Sequence, residues 1–261
     1  MYEFIHNLLA DKKGGEIFTC FGVWHFIYIF LAVGVAIFAI ISLKDKNQEI
    51  KNKTMKLFIH IAFGLYMADF FLMPFAYGEI DMEKLPFHIC TATCVLCFLS
   101  WHNTFFAKYR THIALLAFIS NLVYLIYPAG VMWYQVHPLS YRVVQTLIFH
   151  GVMAAYGLLV LLCGERKLAW RTCYRDVVLL ACITAWAILG NTLYNGNVGD
   201  YNHFYNWFFV VRDPFYLLPA NIAPYIMPIV NIALFFGVEM LVYAIFEIIE
   251  KRKSAKGKLK I

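Results

Sequence analysis

Seven apolar runs constrain this chain more than any other feature of its sequence. Each run holds about 20 residues, which is the length an α-helix needs to cross the hydrocarbon core of a bilayer. Soluble domains carry about 25% charged residues, whereas this chain is 62% hydrophobic and only 15% charged. We therefore predict an all-α fold with one polytopic membrane domain over residues 1–261. Its bundle of seven transmembrane helices would cover residues 21–43, 57–77, 86–107, 112–133, 142–163, 177–195 and 224–248.

The basic residues predict how these helices are oriented. Seventeen of the 22 Lys and Arg residues fall in the loops 44–56, 108–111 and 164–176 and in the tail 249–261. Cytoplasmic loops are enriched in Lys and Arg, so we expect the N-terminus outside and the C-terminus in the cytoplasm. The same rule accounts for the net charge of +6 without nucleic acid as a partner. The sequence predicts a multi-pass protein of the cell membrane and leaves its oligomeric state open.

The longest outer connection, residues 196–223, is rich in aromatic side chains. Between residues 201 and 216 it holds eight of them, among which are Trp207, Phe215 and Tyr216. Aromatic rings favour the boundary between lipid and water, so we expect this segment to lie there. Three prolines then predict an irregular entry to the last helix: Pro219, Pro224 and Pro228.

The third run opens on the sequence Leu-Pro-Phe-His-Ile-Cys at residues 85–90 and continues with Cys94 and Cys97. Pro86 predicts the first helical turn, where proline is well tolerated. The spacing C-x3-C-x2-C of its thiols also occurs in iron–sulfur sites, but those ligands normally come from irregular loops. At positions i, i+4 and i+7 the thiols form one stripe on a helix, which favours packing against a neighbouring helix. We therefore predict no metal and no other cofactor.

Several polar side chains fall at similar depths in the predicted bundle. At a rise of about 1.5 Å per residue, Cys90 and His150 lie in the outer half of the membrane. Asp69 and Asn231 fall in the same layer. Polar residues inside membrane spans usually face the bundle interior or a wet cavity. These four side chains are therefore candidates for one site.

A thiol and an imidazole at one level suit nucleophilic acyl transfer, because a neighbouring His raises the reactivity of a Cys. Such a His needs a third group that fixes its tautomer, as Asn does in papain-like enzymes. Asn231 or Asp69 is in the right layer for this role. The alternative is that Cys90 is a small buried hydrophobe and His150 a satisfied core histidine. The residues by themselves leave both interpretations open.

These features together resemble a known family. The Leu-Pro-x-His-x-Cys opening, the His at position 150, the aromatic outer loop and the seven-span plan are similar to the YwaF-like bacterial integral membrane proteins. That family is itself similar to the animal transmembrane protein 164 family, and the resemblance covers most of the chain. One loop departs from it: where the family is expected to read Gly-Pro-Trp-Pro-Trp-Tyr, residues 211–216 read Val-Arg-Asp-Pro-Phe-Tyr.

The resemblance implies a membrane lipid acyltransferase that works near the outer surface. By position, the family's nucleophilic Cys and its His correspond to Cys90 and His150. A phospholipid or glycolipid would donate the acyl chain and a lyso-lipid would accept it. The supporting residues would be Asn231, Asp69 and His88, and the substrate-binding residues would be Trp207, Phe215 and Tyr216.

The main alternative is a transporter or binding protein for a small amphiphilic ligand. Its polar cavity would be lined by Asp69, Asn191, Asn231 and Glu239. No inverted repeat is discernible in the sequence, and seven spans do not divide evenly, which disfavours this alternative. A third interpretation is a structural subunit that depends on a partner. Replacing Cys90 with Ser distinguishes the acyltransferase from the transporter, because only the acyltransferase needs the thiol for its activity.

Overall fold

The computed structural model describes residues 2–11, 15–77, 82–132, 134–195, 205–215 and 217–258. Within these ranges the chain forms helices joined by turns and loops, and no β-strand, so the all-α prediction is confirmed. Short 3-10 helices occur at Met82–Lys84, Trp170–Thr172 and Trp207–Phe209. The α-helices are α1 (Tyr2–Leu9), α2 (Val23–Leu43), α3 (Gln48–Tyr77), α4 (Ile89–His102), α5 (Thr104–Ala107), α6 (Arg110–Ile126), α7 (Ala129–Met132), α8 (Tyr141–Cys163), α9 (Tyr174–Asn195) and α10 (Ala223–Lys258).

Among the described residues, six segments are long and apolar enough to cross a membrane. They are Val23–Leu43, Gln48–Phe75, Arg110–Met132, Tyr141–Cys163, Trp170–Asn195 and Ala223–Ile249. The remaining predicted span, 86–107, contains the 14-residue helix α4 instead. Fourteen residues reach about 21 Å, which is less than the roughly 30 Å of a hydrocarbon core. Transmembrane helices are thus present, but the predicted number of seven is not confirmed.

Local backbone geometry makes α4 short. The helix begins at Ile89 after an extended His88, with φ −72° and ψ 146°. Pro86 therefore lies in the preceding turn, and the prediction that it opens the first helical turn is wrong. The helix ends at His102, because the next residue, Asn103, is extended, with φ −132° and ψ 129°. The Asn103 side chain then accepts a hydrogen bond of 2.8 Å from the Phe105 backbone N–H, which starts α5 as an N-cap.

The chain divides into two compact units, Met1–Glu165 and Arg166–Ile261. In the first unit α8 is the central helix and packs against α2, α3 and α6, while α4 packs against α3 and α6. Gly157 allows a close approach between α6 and α8. A Cβ atom there would lie 2.6 Å from the Ala114 carbonyl oxygen and 2.7 Å from the Phe118 Cβ atom. Small residues at helix contacts let backbones approach closely in membrane bundles.

In the second unit, α9 and α10 hold a loop between them through two asparagines. On α9, Asn191 donates to the Trp207 carbonyl at 3.2 Å and accepts from its N–H at 3.3 Å. On α10, Asn231 donates to the Phe208 carbonyl at 2.6 Å and to the Phe209 carbonyl at 3.3 Å. Phe208 and Phe209 have φ values of 54° and 51°, which non-glycine residues rarely adopt. The asparagines therefore stabilise a strained turn.

The loop continues to Asp213, whose carboxylate organises the backbone that follows. It accepts hydrogen bonds from the backbone N–H groups of Phe215 at 2.9 Å, Leu217 at 2.7 Å and Leu218 at 3.0 Å. These N–H groups hold the pKa of Asp213 below its usual range, and the Phe215 N–H has the largest effect. The ionised carboxylate is thus the form that stabilises this turn.

We predict that Gly157→Ala destabilises the protein by about 1–3 kcal/mol, because an added methyl group overpacks the contact between α6 and α8. The control is Gly64→Ala on α3, where no atom lies within 4 Å of the added Cβ. That change should stabilise the helix by up to about 1 kcal/mol, since alanine is the better helix former. Thermal unfolding of both variants in detergent measures the difference, and equal midpoints would contradict the close packing.

We predict that Asp213→Ala costs about 1–3 kcal/mol, because three N–H groups lose their acceptor. The pKa is lowered in the folded state, so the stabilisation is fully present above the unfolded pKa of about 3.9. It is lost as the pH falls through the folded value. The difference in unfolding midpoint between wild type and variant should therefore shrink in acid. Glu49→Gln, at an exposed carboxylate paired with Lys53, should change little at any pH.

Candidate active site

Cys90 is the most accessible of the three thiols on α4. It is the second residue of the helix, and its side chain is half-buried. Cys94 and Cys97, farther along α4, are both 0% exposed. The Ser120 side chain of α6 lies beside the Cys90 thiol.

His150 is buried on α8 and is oriented by an asparagine of α6. Its Nδ1 atom lies 2.7 Å from the Asn121 Oδ1 atom. The Asn121 amide nitrogen donates to the Ala117 carbonyl at 2.7 Å, so Oδ1 faces the imidazole as an acceptor. Nδ1 must then carry the proton that is donated to Asn121. In the neutral ring this leaves a lone pair on Nε2.

Tyr124 links the thiol and the imidazole. Its ring stacks on His150 with centroids 3.8 Å apart and planes 14° apart. Its hydroxyl lies within electrostatic range of Cys90. Ser120, Asn121 and Tyr124 are neighbours on one side of α6, because residues three and four apart share a helix face. The fold thus brings Cys90 and His150 to the same stretch of α6.

An ion pair lies near the imidazole. The Lys84 ammonium group is 2.8 Å from the Asp69 carboxylate, and it lies within electrostatic range of both His88 and His150. His88 is in turn within electrostatic range of His150. Asp69 is therefore bound to Lys84 and does not orient His150, which corrects one of the two sequence-based expectations for that role.

The arrangement combines a thiol, an imidazole and an amide oxygen on Nδ1. Cys, His and Asn are the residue types that serve as nucleophile, base and orienting group in thiol acyl transfer. No group of three or more His, Cys, Asp or Glu side chains that could hold a metal ion occurs in the described part of the chain. None of the seven cysteines, all of them described, forms a disulfide.

The remaining predicted site residues lie in the second unit. Asn231 binds the loop carbonyls of Phe208 and Phe209. Trp207 is 0% exposed and stacks on Tyr205 with centroids 4.5 Å apart, which makes it part of the packing of this unit. Phe215 is 71% exposed. Tyr216 lies outside the described residues.

Sequence reasoning did not assign a role to Asn121, the residue that orients His150. The available signal was its position as a polar residue inside the predicted span 112–133. Counted from the end of α6 at Ile126, Asn121 lies at the depth predicted for Cys90 and His150. Depth counting applied to every intramembrane amide would therefore have included it beside Asn231. Tyr124 carried no comparable signal, since aromatic residues are common throughout the chain.

Comparison with known proteins gives one match. No curated protein and no solved structure matches the chain. The sequence profile of the TMEM164 family matches residues 20–246, which include α2 to α9 and most of α10, and hence Cys90, Asn121 and His150. Together with the six apolar helices, this match places the chain among integral membrane proteins. The chain belongs to the TMEM164 family.

Proposed function

We propose that this protein is a membrane lipid acyltransferase in which Cys90 is the nucleophile and His150 the base. The observation that carries this proposal is the hydrogen bond of 2.7 Å between His150 Nδ1 and Asn121 Oδ1. It leaves Nε2 as the basic nitrogen of a ring that shares one side of α6 with the Cys90 thiol.

The first half-reaction transfers an acyl chain to the enzyme. Cys90 Sγ attacks the ester carbonyl of a phospholipid or glycolipid, and its proton passes to His150 Nε2. The carbonyl carbon gains a bond to sulfur and loses its bond to the lipid oxygen. That oxygen leaves with the proton from His150 as a lyso-lipid, and Cys90 remains as a thioester.

The second half-reaction returns the chain to another lipid. A hydroxyl group of a lyso-lipid acceptor attacks the thioester carbonyl and gives its proton to His150. The carbon–sulfur bond breaks, and the thiolate takes the proton back. Asn121 acts as a positioning residue throughout, because its oxygen holds the tautomer in which Nε2 can accept a proton. Neither half-reaction needs a cofactor.

The site would lie near the outer surface of the cell membrane, with the N-terminus outside and the C-terminus in the cytoplasm, as the distribution of Lys and Arg predicts. The segment of α4 and α5 would then complete seven crossings. No coenzyme A is available on that side, so a lipid would be the acyl donor.

The transporter alternative has less support from the side chains on which it depends. Asp69 is bound to Lys84, and Asn191 and Asn231 are bound to loop backbone groups. These hydrogen bonds account for three of the four polar side chains without a transported ligand. Only Glu239 is left without such a role.

We predict that Cys90→Ser lowers lipid acyl transfer by about 10²-fold or more, because a serine hydroxyl is a far weaker nucleophile than a thiol at neutral pH. His150→Ala should lose about 10²- to 10⁴-fold, the usual effect of removing a general base. The assay follows a labelled acyl chain from phospholipid to lyso-lipid in liposomes that contain the purified protein. Cys94→Ser is the control. If Cys90→Ser is as active as that control, the acyltransferase proposal fails.

We predict that Asn121→Leu slows the modification of Cys90 by a chloroacetamide with an acyl tail roughly tenfold or more, because His150 loses its orienting acceptor. Asn121→Asp, which keeps an oxygen at the same place, should recover part of the rate. Mass spectrometry of the labelled thiol measures both. The control is Asn47→Ala. Asn47 also lies in the first unit, where it caps α3 by accepting a hydrogen bond from the Ile50 N–H. In this variant Cys90 should be labelled at the wild-type rate. A normal rate in Asn121→Leu would remove Asn121 from the mechanism.

A further inference from the structure

Two histidines from different helices meet in the first unit. His60 lies on α3 and His102 is the last residue of α4, and these two helices pack against each other. The Nε2 atoms of the two rings are 3.1 Å apart, and the ring centroids are 5.1 Å apart. Counted along α4, His102 lies about 18 Å from Cys90. The histidine pair is therefore separate from the candidate active site.

A backbone carbonyl determines the tautomer of His60. Its Nδ1 atom lies 2.6 Å from the Lys56 carbonyl oxygen. A carbonyl oxygen can only accept a hydrogen bond, so Nδ1 carries the proton and Nε2 of the neutral ring has the lone pair. Histidines that bind metal ions make the same second contact, because they donate their other ring N–H to a carbonyl or carboxylate oxygen. The Nε2 atom of His60 is thus prepared to act as a ligand.

The Phe98 ring holds the two imidazoles in place. Phe98 precedes His102 by four residues, so both lie on the same face of α4. Its ring centroid is 4.6 Å from that of His102 and 5.2 Å from that of His60. It also stacks on Phe63 of α3, with centroids 4.1 Å apart and planes 14° apart. The two imidazoles are therefore ordered before a ligand binds, which lowers the cost of binding.

The distance between the two Nε2 atoms suits a shared metal ion. At a zinc–nitrogen distance of 2.0–2.1 Å, two nitrogen ligands are about 3.3 Å apart in a tetrahedral site and about 2.9 Å apart at a right angle. The observed 3.1 Å lies between these values. If the proton of His102 moves from Nε2 to Nδ1, both Nε2 lone pairs can bind one ion. His102 is exposed, so water can occupy the other coordination positions.

We propose that His60 and His102 form a binding site for one divalent transition metal ion such as Zn²⁺, which bridges α3 and α4. Imidazole nitrogen suits zinc, copper and nickel, whereas Mg²⁺ and Ca²⁺ prefer oxygen ligands. The Lys56 ammonium group is within electrostatic range of His102 and opposes a bound cation. Lys56 is exposed, however, so solvent and salt screen its charge.

This site goes beyond the acyl transfer proposed above and does not depend on it. The sequence-based prediction of no metal was made from the cysteines of α4. Spacing along the chain could not show that two histidines 42 residues apart meet between α3 and α4.

The test measures Zn²⁺ binding to the purified full chain in detergent, prepared without a histidine tag. Equilibrium dialysis gives the zinc bound per chain, and thermal unfolding gives the midpoint. The wild type should bind a zinc ion that His60→Gln and His102→Gln bind at least tenfold more weakly. At about 100 times its dissociation constant, Zn²⁺ should raise the wild-type midpoint by about 5 °C or more. The same concentration of Mg²⁺ should leave the midpoint unchanged.

His137→Gln is the matched control. His137 also lies in the first unit, where its Nδ1 atom accepts a hydrogen bond from the Leu139 N–H, and this variant should bind zinc as the wild type does. His102 is exposed at the end of its helix, so His102→Gln decides the question even if His60→Gln does not fold. The proposal is overturned if zinc does not shift the wild-type midpoint, if His102→Gln binds zinc as tightly as the wild type, or if His137→Gln loses the binding equally.

Discussion

Hydrogen bonds between buried side chains and their neighbours stabilise both units of this protein. Within hydrocarbon there is no water to satisfy a polar group, so each one must find its partner inside the protein. Asparagine is suited to this because its amide both donates and accepts. Asn121 uses this property between the Ala117 carbonyl and His150. Asn191 uses it on the Trp207 backbone.

The helices could be predicted from the sequence, because a membrane span needs a fixed length of apolar chain. Hydropathy is an average over such a length and does not record where the backbone turns. Asn103 shows the consequence: it lies in an apolar context, yet its extended backbone ends α4 and its side chain starts α5. The predicted run 86–107 therefore became two helices, neither of which is long enough to cross.

The candidate site could be predicted only in part for a related reason. Counting residues gives the depth of a side chain in the membrane but not the direction in which it points. Cys90 and His150 were predicted as site residues because the thiol and the imidazole are distinctive and because a family resemblance marked them. Asn231 had a suitable depth, but it binds loop carbonyls in the second unit. Asn121 lies at the same depth, and its side chain points toward His150. Only the packing of α6 against α8 reveals that direction.

The two contacts of His150 constrain its ring in perpendicular ways. The hydrogen bond to Asn121 lies in the plane of the imidazole and makes the Nδ1 edge of the ring face Asn121. The Tyr124 ring covers one face and determines the tilt of that plane. A half-turn of the ring would exchange Nδ1 for a carbon and break the hydrogen bond. The rotational freedom of this side chain is thus lost when the protein folds, and Nε2 is held in a single orientation.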